Sequence, residues 1–237
     1  MIRLENISIG YDGRRLLEGA DATFATATLT ALTGRNGSGK STLLREIAGV
    51  TSRRMSGEIY IDGKALSTMS VQEKARTIAV VTTERIRVGS LSCREVVAMG
   101  RAPWTGWAGR LSKADREMID LSLEATGMTA YAPRPINTLS DGEHQRIMIA
   151  RALAQDTPAL LLDEPTSFLD LPARYELLEL LSKVAHEGGK TVIFSTHELQ
   201  LALSHCDSLG LITDSSLKVY FTDEISGMSL EDLLTIF

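Results

Sequence analysis

Residues 34–42, Gly-Arg-Asn-Gly-Ser-Gly-Lys-Ser-Thr, constrain this chain more than any other stretch. They fit the pattern G-x-x-x-x-G-K-[ST]. They also lie between an apolar run ending at Thr33 and the helical pattern Leu43, Leu44, Ile47, so strand, loop and helix follow in the required order. A loop of this composition turns its backbone N–H groups inward around phosphates. Glycine tolerates the backbone angles needed, and the following helix adds the positive end of its dipole. Gly34, Arg35, Asn36, Gly37, Ser38, Gly39, Lys40, Ser41 and Thr42 are therefore the candidate nucleotide cradle, with Lys40 reaching the β- and γ-phosphates and Ser41 on Mg²⁺. Kinases, GTPases and motor ATPases share such a loop, so it identifies a nucleotide and not yet a reaction.

Around the loop the chain reads as α/β. Residues 29–33, 77–81, 160–162, Thr191–Ser195 and Ser208–Thr213 have the look of short buried strands, several alternating with helical patterns as a mostly parallel sheet requires. Ile2, Leu4, Ile7 and Ile9 before Asp12-Gly13, and residues 58–61 before Asp62-Gly63, suggest a small antiparallel sheet at the N-terminus. From about Ser92 to Gln155 the pattern is helical, interrupted by a loop at 100–110, with Ser112 and Asp115 as a capping box. The expectation is one domain over 1–237: a core with its β subdomain at about 1–85 and 156–237, and a helical subdomain inserted at about 86–155.

Bulk properties narrow the partners. A net charge of −5 gives no overall pull toward nucleic acid, and no local basic patch supplies one. Cys93 and Cys206 make no disulfide framework and suit reduced thiols in the cytosol. The N-terminus lacks the apolar core of a secretory signal, and no apolar run approaches the roughly 20 residues of a membrane span. Work at a membrane would need another subunit to do the spanning.

The reaction is suggested by what ends the later strands. Leu160-Leu161-Leu162-Asp163-Glu164-Pro165 reads as a buried strand closing in two acids at the edge where a parallel sheet binds ligands. Asp163 is placed to hold Mg²⁺ opposite Ser41, directly or through water, and Glu164 to orient and deprotonate an attacking water. His197 follows the strand Thr191–Ser195 at the same edge, where it can contact the γ-phosphate or the water. Leu139-Ser140-Asp141-Gly142-Glu143 precedes a helical run. As a capping box, Ser140 with Glu143 has a complete structural account, and a capped helix start is also an anion site.

Taken in order, Tyr11, the phosphate loop, Leu139 to Glu143, Asp163-Glu164, Ser167 to Asp170 and His197 resemble the ATP-binding cassette (ABC) ATPases, over nearly the whole chain. The resemblance implies a P-loop NTPase core with a mixed, mostly parallel sheet, ATP and Mg²⁺ as cofactors, and ATP hydrolysis by Lys40, Glu164 and His197. It implies that Tyr11 stacks on adenine and that Asp170 lies in a dimer-contact loop. It further implies that Ser140, Asp141, Gly142 and Glu143 form the signature, in which Ser140 and Gly142 bind the γ-phosphate of ATP held by the other subunit of a homodimer. Two departures stand out: Asp141 and Glu143 replace a glycine and a glutamine of the family signature, and no glutamine follows residues 78–81, where Thr83 or Glu84 is left as the metal contact.

Gly100-Arg101-Ala102-Pro103, followed by Trp104 and Trp107, is similar to a stretch in the ATPases of iron-siderophore, haem and cobalamin importers. The tryptophans can pack the helical lobe or face a partner. This branch implies two integral-membrane permease subunits as partners, through them a substrate-binding protein, and a place on the cytoplasmic face of the membrane. The alternative is a soluble cassette ATPase in iron-sulfur cluster assembly or a scaffold role. A chromosome or repair ATPase is excluded, since the span between Lys40 and Ser140 leaves no space for a long coiled coil.

Overall fold

The computed structural model describes residues 1–11, 13–51, 54–82, 91–107 and 109–225. Its first element is a twisted antiparallel sheet. Strands β1 (Ile2–Tyr11) and β2 (Arg14–Phe24) pair with three shifts of register, and the sheet is completed after the next strand and helix by β4 (Arg54–Ile61) and β5 (Lys64–Ala65), in the order β2-β1-β4-β5. Between them run β3 (Thr28–Gly34) and α1 (Lys40–Ile47).

The rest of the chain builds a second sheet and its helices: α2 (Val71–Thr77), β6 (Ile78–Val81), α3 (Cys93–Ala98), α4 (Lys113–Ala125), α5 (Asp141–Ala154), β7 (Ala159–Leu162), α6 (Leu171–His186), β8 (Thr191–Ser195), α7 (Leu199–His205), β9 (Ser208–Thr213), β10 (Ser216–Phe221) and α8 (Thr222–Ile225). The strand order is β10-β9-β3-β8-β7-β6, parallel throughout except for the antiparallel edge strand β10.

The central strands are apolar because both faces are covered. Alternate side chains serve two cores. Leu160, Leu162, Val192 and Phe194 face a cluster with α5 and α6, while Leu161 and Ile193 face a cluster with α1 and the N-terminal sheet. Each fully buried aliphatic side chain contributes roughly 1.5–3 kcal/mol, so the two layers are fastened through the same strands.

Three strands escape the sequence reading, one of them the two-residue β5. β2 pairs through bulges that break its alternation, and β10 is an edge strand in which only Leu217 is buried. β10 is joined to β9 by Asp214 and Ser215, both at positive φ (45° and 62°), which is the geometry of a tight hairpin without the usual Asn-Gly. One boundary is corrected: Thr77, expected to open a strand, closes α2 and donates from Oγ1 to Glu73 O at 2.7 Å.

Serine followed three residues later by an acid starts α2, α3, α4 and α5, each as a reciprocal capping box. α3, α4 and α5 pack on one another, and the Gly100-Arg101 stretch fastens them. A Cβ on Gly100 would lie 2.1 Å from Arg151 O, so glycine alone permits this approach to α5. The buried Arg101 donates from Nε to Asp115 Oδ1 and from Nη1 to Ala154 O, both at 2.8 Å, joining the start of α4 to the end of α5. Trp104 donates to Gln155 O at 2.7 Å and lies under the guanidinium groups of Arg76 and Arg101 (4.8 and 5.4 Å), whereas Trp107 is fully exposed. Gln155 in turn donates to Ala75 O and Ile78 O, tying the helices to the edge of the parallel sheet.

Candidate active site

β3, β7 and β8 end side by side, and each delivers part of one site. β3 leads into the loop 34–39, where Gly34, Gly37 and Gly39 all take positive φ (148°, 78° and 106°). A Cβ on Gly34 would meet Ile212 O at 2.5 Å and Ser38 Oγ at 2.9 Å, so the cradle requires glycine there. Arg35, Asn36 and Gly37 are exposed at the tip, and Arg14 donates from Nη2 to Gly37 O at 3.3 Å. A cavity of about 400 Å³ opens beside the loop, lined among others by Arg14, Arg35, Ser38 and Asp214.

The loop has the features of an anion cradle. Gly39 precedes α1 without a side-chain cap, and the first turn, with Lys40, Ser41 and Thr42, carries no acid, so no side chain of the turn offsets the positive end of the helix dipole. Ser38 Oγ is a buried hydroxyl without a partner among the described residues. The buried Lys40 folds back onto its own loop, donating to Gly34 O at 2.8 Å and Arg35 O at 3.2 Å. Burial lowers the pKa of its ammonium group, against the opposing pull of Glu164 and Asp163. An anion placed in the cradle would relieve that cost.

Asp163 leaves β7 with its N–H on Val81 O, and its Oδ1 accepts Ser41 Oγ at 2.8 Å and Ser195 Oγ at 2.7 Å. A serine that follows the phosphate loop and a carboxylate at the end of β7, two strands from β3, thus share one spot, as the donor set for a Mg-nucleotide demands. Among the described residues no group of three or more His, Cys, Asp and Glu converges on a cation position. Mg²⁺ takes few protein ligands and completes its shell with phosphate and water, so one hydroxyl and one carboxylate can serve as its protein ligands. Thr83 and Glu84, the remaining metal candidates, lie outside the described residues.

Glu164 stands at φ 44°, a conformation uncommon for a non-glycine residue, and its carboxylate Oε2 accepts Ser167 Oγ at 3.1 Å. His197 is exposed just beyond β8, where Thr196 N–H donates to Leu32 O at 3.0 Å. The adjoining Glu198 pairs with Arg174 at 2.6 Å, and Arg174 also donates to Leu169 O, linking the histidine segment to the loop before α6.

The structure brings together Lys40, Ser41, Asp163 and Glu164. Tyr11 is exposed at the end of β1, paired in register with Arg14. The signature residues gather elsewhere, at the start of α5: Ser140 N and Oγ both donate to Glu143 Oε2 at 2.8 Å, Asp141 is exposed, and a Cβ on Gly142 would approach Leu169 Cδ2 to 3.0 Å. Asp170 caps α6, accepting Ala173 N–H at 3.0 Å. Sequence reasoning missed Ser195, Arg14 and the Glu198–Arg174 pair. Only the polar end of the apolar strand Thr191–Ser195 offered a signal for the first.

Comparison with known proteins adds three findings. Residues 17–167 match the family model for the ABC transporter. The chain is 40% identical over 198 residues to the iron(3+)-hydroxamate import ATP-binding protein of Bacillus subtilis, covering 84% of this chain and 73% of that one. It is 36% identical over 211 residues to the ferric enterobactin transport ATP-binding protein of Escherichia coli, covering 88% and 76%. Among solved structures, an inward-facing ABC transporter described as of metal-chelate type matches with a TM-score of 0.85 at 27% identity, covering 100% of this chain and 88% of that one. A dimeric bacterial ABC transporter cassette matches with 0.82 at 26%, covering 94% and 99%, and a related structure holds ADP and phosphate after hydrolysis. With the phosphate cradle, the paired serine and carboxylate and these relatives in view, the chain belongs to the ABC transporter family as an ATP-binding cassette ATPase.

Proposed function

We propose that this ATPase energises the import of a metal chelate of iron-siderophore, haem or cobalamin type through a separate permease. The observation that carries the catalytic part is the Ser41 Oγ to Asp163 Oδ1 bond at the mouth of the loop. When bound with ATP, Mg²⁺ would be held by Ser41 and Asp163 and would neutralise charge on the β- and γ-phosphates. Lys40 exchanges its two carbonyl partners for phosphate oxygens, and the N–H groups of residues 35–42 with Ser38 Oγ wrap the rest. Glu164 accepts the proton of the attacking water and His197 contacts the γ-phosphate or that water. Tyr11 stacks on the adenine.

Two copies sandwich the nucleotide: Ser140, Asp141, Gly142 and Glu143 of one approach the γ-phosphate held by the other, with Asp170 in the contact loop. Among the described residues no helix is long and apolar enough to cross a membrane. Two integral-membrane permease subunits, and through them a substrate-binding protein, therefore complete the importer, with this chain peripheral on the cytoplasmic face. The importer relatives favour this over a soluble role in iron-sulfur cluster assembly, and the buried Cys93 and Cys206 offer no exposed cluster ligands.

Glu164→Gln tests the chemistry: ATP binding persists, hydrolysis slows by roughly 10²-fold or more, and an ATP-bound dimer accumulates in size-exclusion chromatography. Near-normal turnover would place the base elsewhere. Transport is tested by reconstitution with the permease in lipid, where ATPase activity rises on adding loaded binding protein. An unresponsive rate would sink the coupling.

A further inference from the structure

Ser195 closes β8 with no exposed surface, and its one hydroxyl serves two neighbours. Oγ donates to Asp163 Oδ1 at 2.7 Å and accepts the backbone N–H of Glu164 at 2.8 Å. We infer that Ser195 is a positioning residue for ATP hydrolysis, fixing from the sheet side both the metal-holding carboxylate of Asp163 and the backbone from which Glu164 projects. The inference rests on the roles proposed above for those two acids.

The geometry explains why a side chain is needed there. Pairing of β7 with β8 ends at Leu162 opposite Phe194, and Asp163 N–H turns to the other side, onto Val81 O. Glu164 then stands in the left-handed region at φ 44°, and its N–H goes to a side chain of β8 and not to a strand carbonyl. A part-buried N–H beside a fully buried strand end still needs an acceptor, and the Ser195 hydroxyl supplies it one residue past the last ladder pair. The same hydroxyl has its proton left for Asp163. Oδ1 of that carboxylate is thereby held from two directions, by Ser41 on the nucleotide side and by Ser195 on the sheet side. When Ser41 turns its oxygen to a metal, the Ser195 bond remains and keeps the carboxylate in place, since water has no access to replace it. Two residues further on stands His197, so one strand end supports three members of the site.

The test compares full-length wild type with Ser195→Ala, Ser195→Thr and Ser195→Val. Thr and Val have one shape and differ in the hydroxyl. Binding of a fluorescent ATP analogue in EDTA, its tightening by added Mg²⁺, kcat, KM and thermal melting are measured on each. Ala and Val are expected to bind Mg-free nucleotide within about twofold of wild type, to need roughly tenfold more Mg²⁺ for half-maximal tightening, and to lose about 10- to 100-fold in kcat with KM little changed. Thr restores these values to within about threefold, since it keeps the donor and acceptor. Turnover and Mg²⁺ dependence of Val equal to those of Thr would overturn the inference, as would losses in all three variants that simply follow melting temperature. A wild-type chain that binds no nucleotide would instead strike at the proposed function.

Discussion

Glu143 shows how much a single atom type decides at the signature. Its carboxylate accepts both the N–H and the hydroxyl of Ser140, and the backbone bond, followed by the hydroxyl, holds its pKa below the ordinary value. The Ser140 proton therefore points back into its own cap, and a negative charge stands beside the position proposed for a partner's phosphate. Glu143→Gln keeps an acceptor for the cap and removes that charge. It is expected to lower the ATP concentration needed to dimerise the Glu164→Gln form by roughly 2- to 5-fold, read by light scattering. Gly34→Ala is a second test at this scale. The strained φ of 148° and the 2.5 Å approach to Ile212 O predict at least roughly tenfold weaker nucleotide binding by fluorescence titration. Lys40, Ser41 and Asp163 were legible because their spacing is a signature; Ser195 was not, because a hydroxyl at a strand end has none until the neighbouring strand is known.

Among the elements, the helices α3, α4 and α5 depend on one buried cation. Arg101 neutralises Asp115, which also closes the α4 capping box, and caps the carbonyl end of α5 at Ala154. Removing it by Arg101→Met leaves a buried carboxylate without its partner and is expected to cost about 3 kcal/mol in urea unfolding. The Asp115 carboxyl is pushed down to about 2 by the Ser112 hydroxyl first and then by Arg101. A depressed carboxylate stabilises the fold above the unfolded-state pKa of about 3.9, and that contribution fades as pH falls toward about 2. Asp115→Asn should abolish this part of the acid transition, on the order of 2 kcal/mol by circular dichroism. The cap itself could be read from Ser112 and Asp115. The Arg101 bond could not, because it joins residues whose meeting depends on Gly100 fitting against Arg151 O.

At the scale of the whole molecule the site is one-sided. Lys40, Ser41, Asp163 and Glu164 meet at one sheet edge, whereas Ser140 keeps its hydrogen bonds within the first turn of α5, and Gly142 lies against Leu169 of the loop before α6. A side chain at 142 would push on that loop and crowd the approach of a second copy. Gly142→Val is therefore expected to leave ATP binding by the single chain within about twofold while weakening ATP-dependent dimerisation of the Glu164→Gln form by more than about tenfold, measured by size-exclusion with light scattering. Residue order and spacing alone determined the candidate phosphate cradle, the acid pair, the capped starts of α4 and α5 and the α/β class, because each depends on contacts within a few residues or on a periodicity. The edge strand β10, the bulged β2, the Arg101 tie and the double bond of Ser195 were decided only by tertiary structure. The ties of Arg101 and Ser195 have partners that the sequence places far away, 14 residues or more for the first and 31 or more for the second, and that only packing brings within hydrogen-bond reach; β2 and β10 pair with the strands next to them in the chain, but bulges and an edge position leave them no apolar alternation to read.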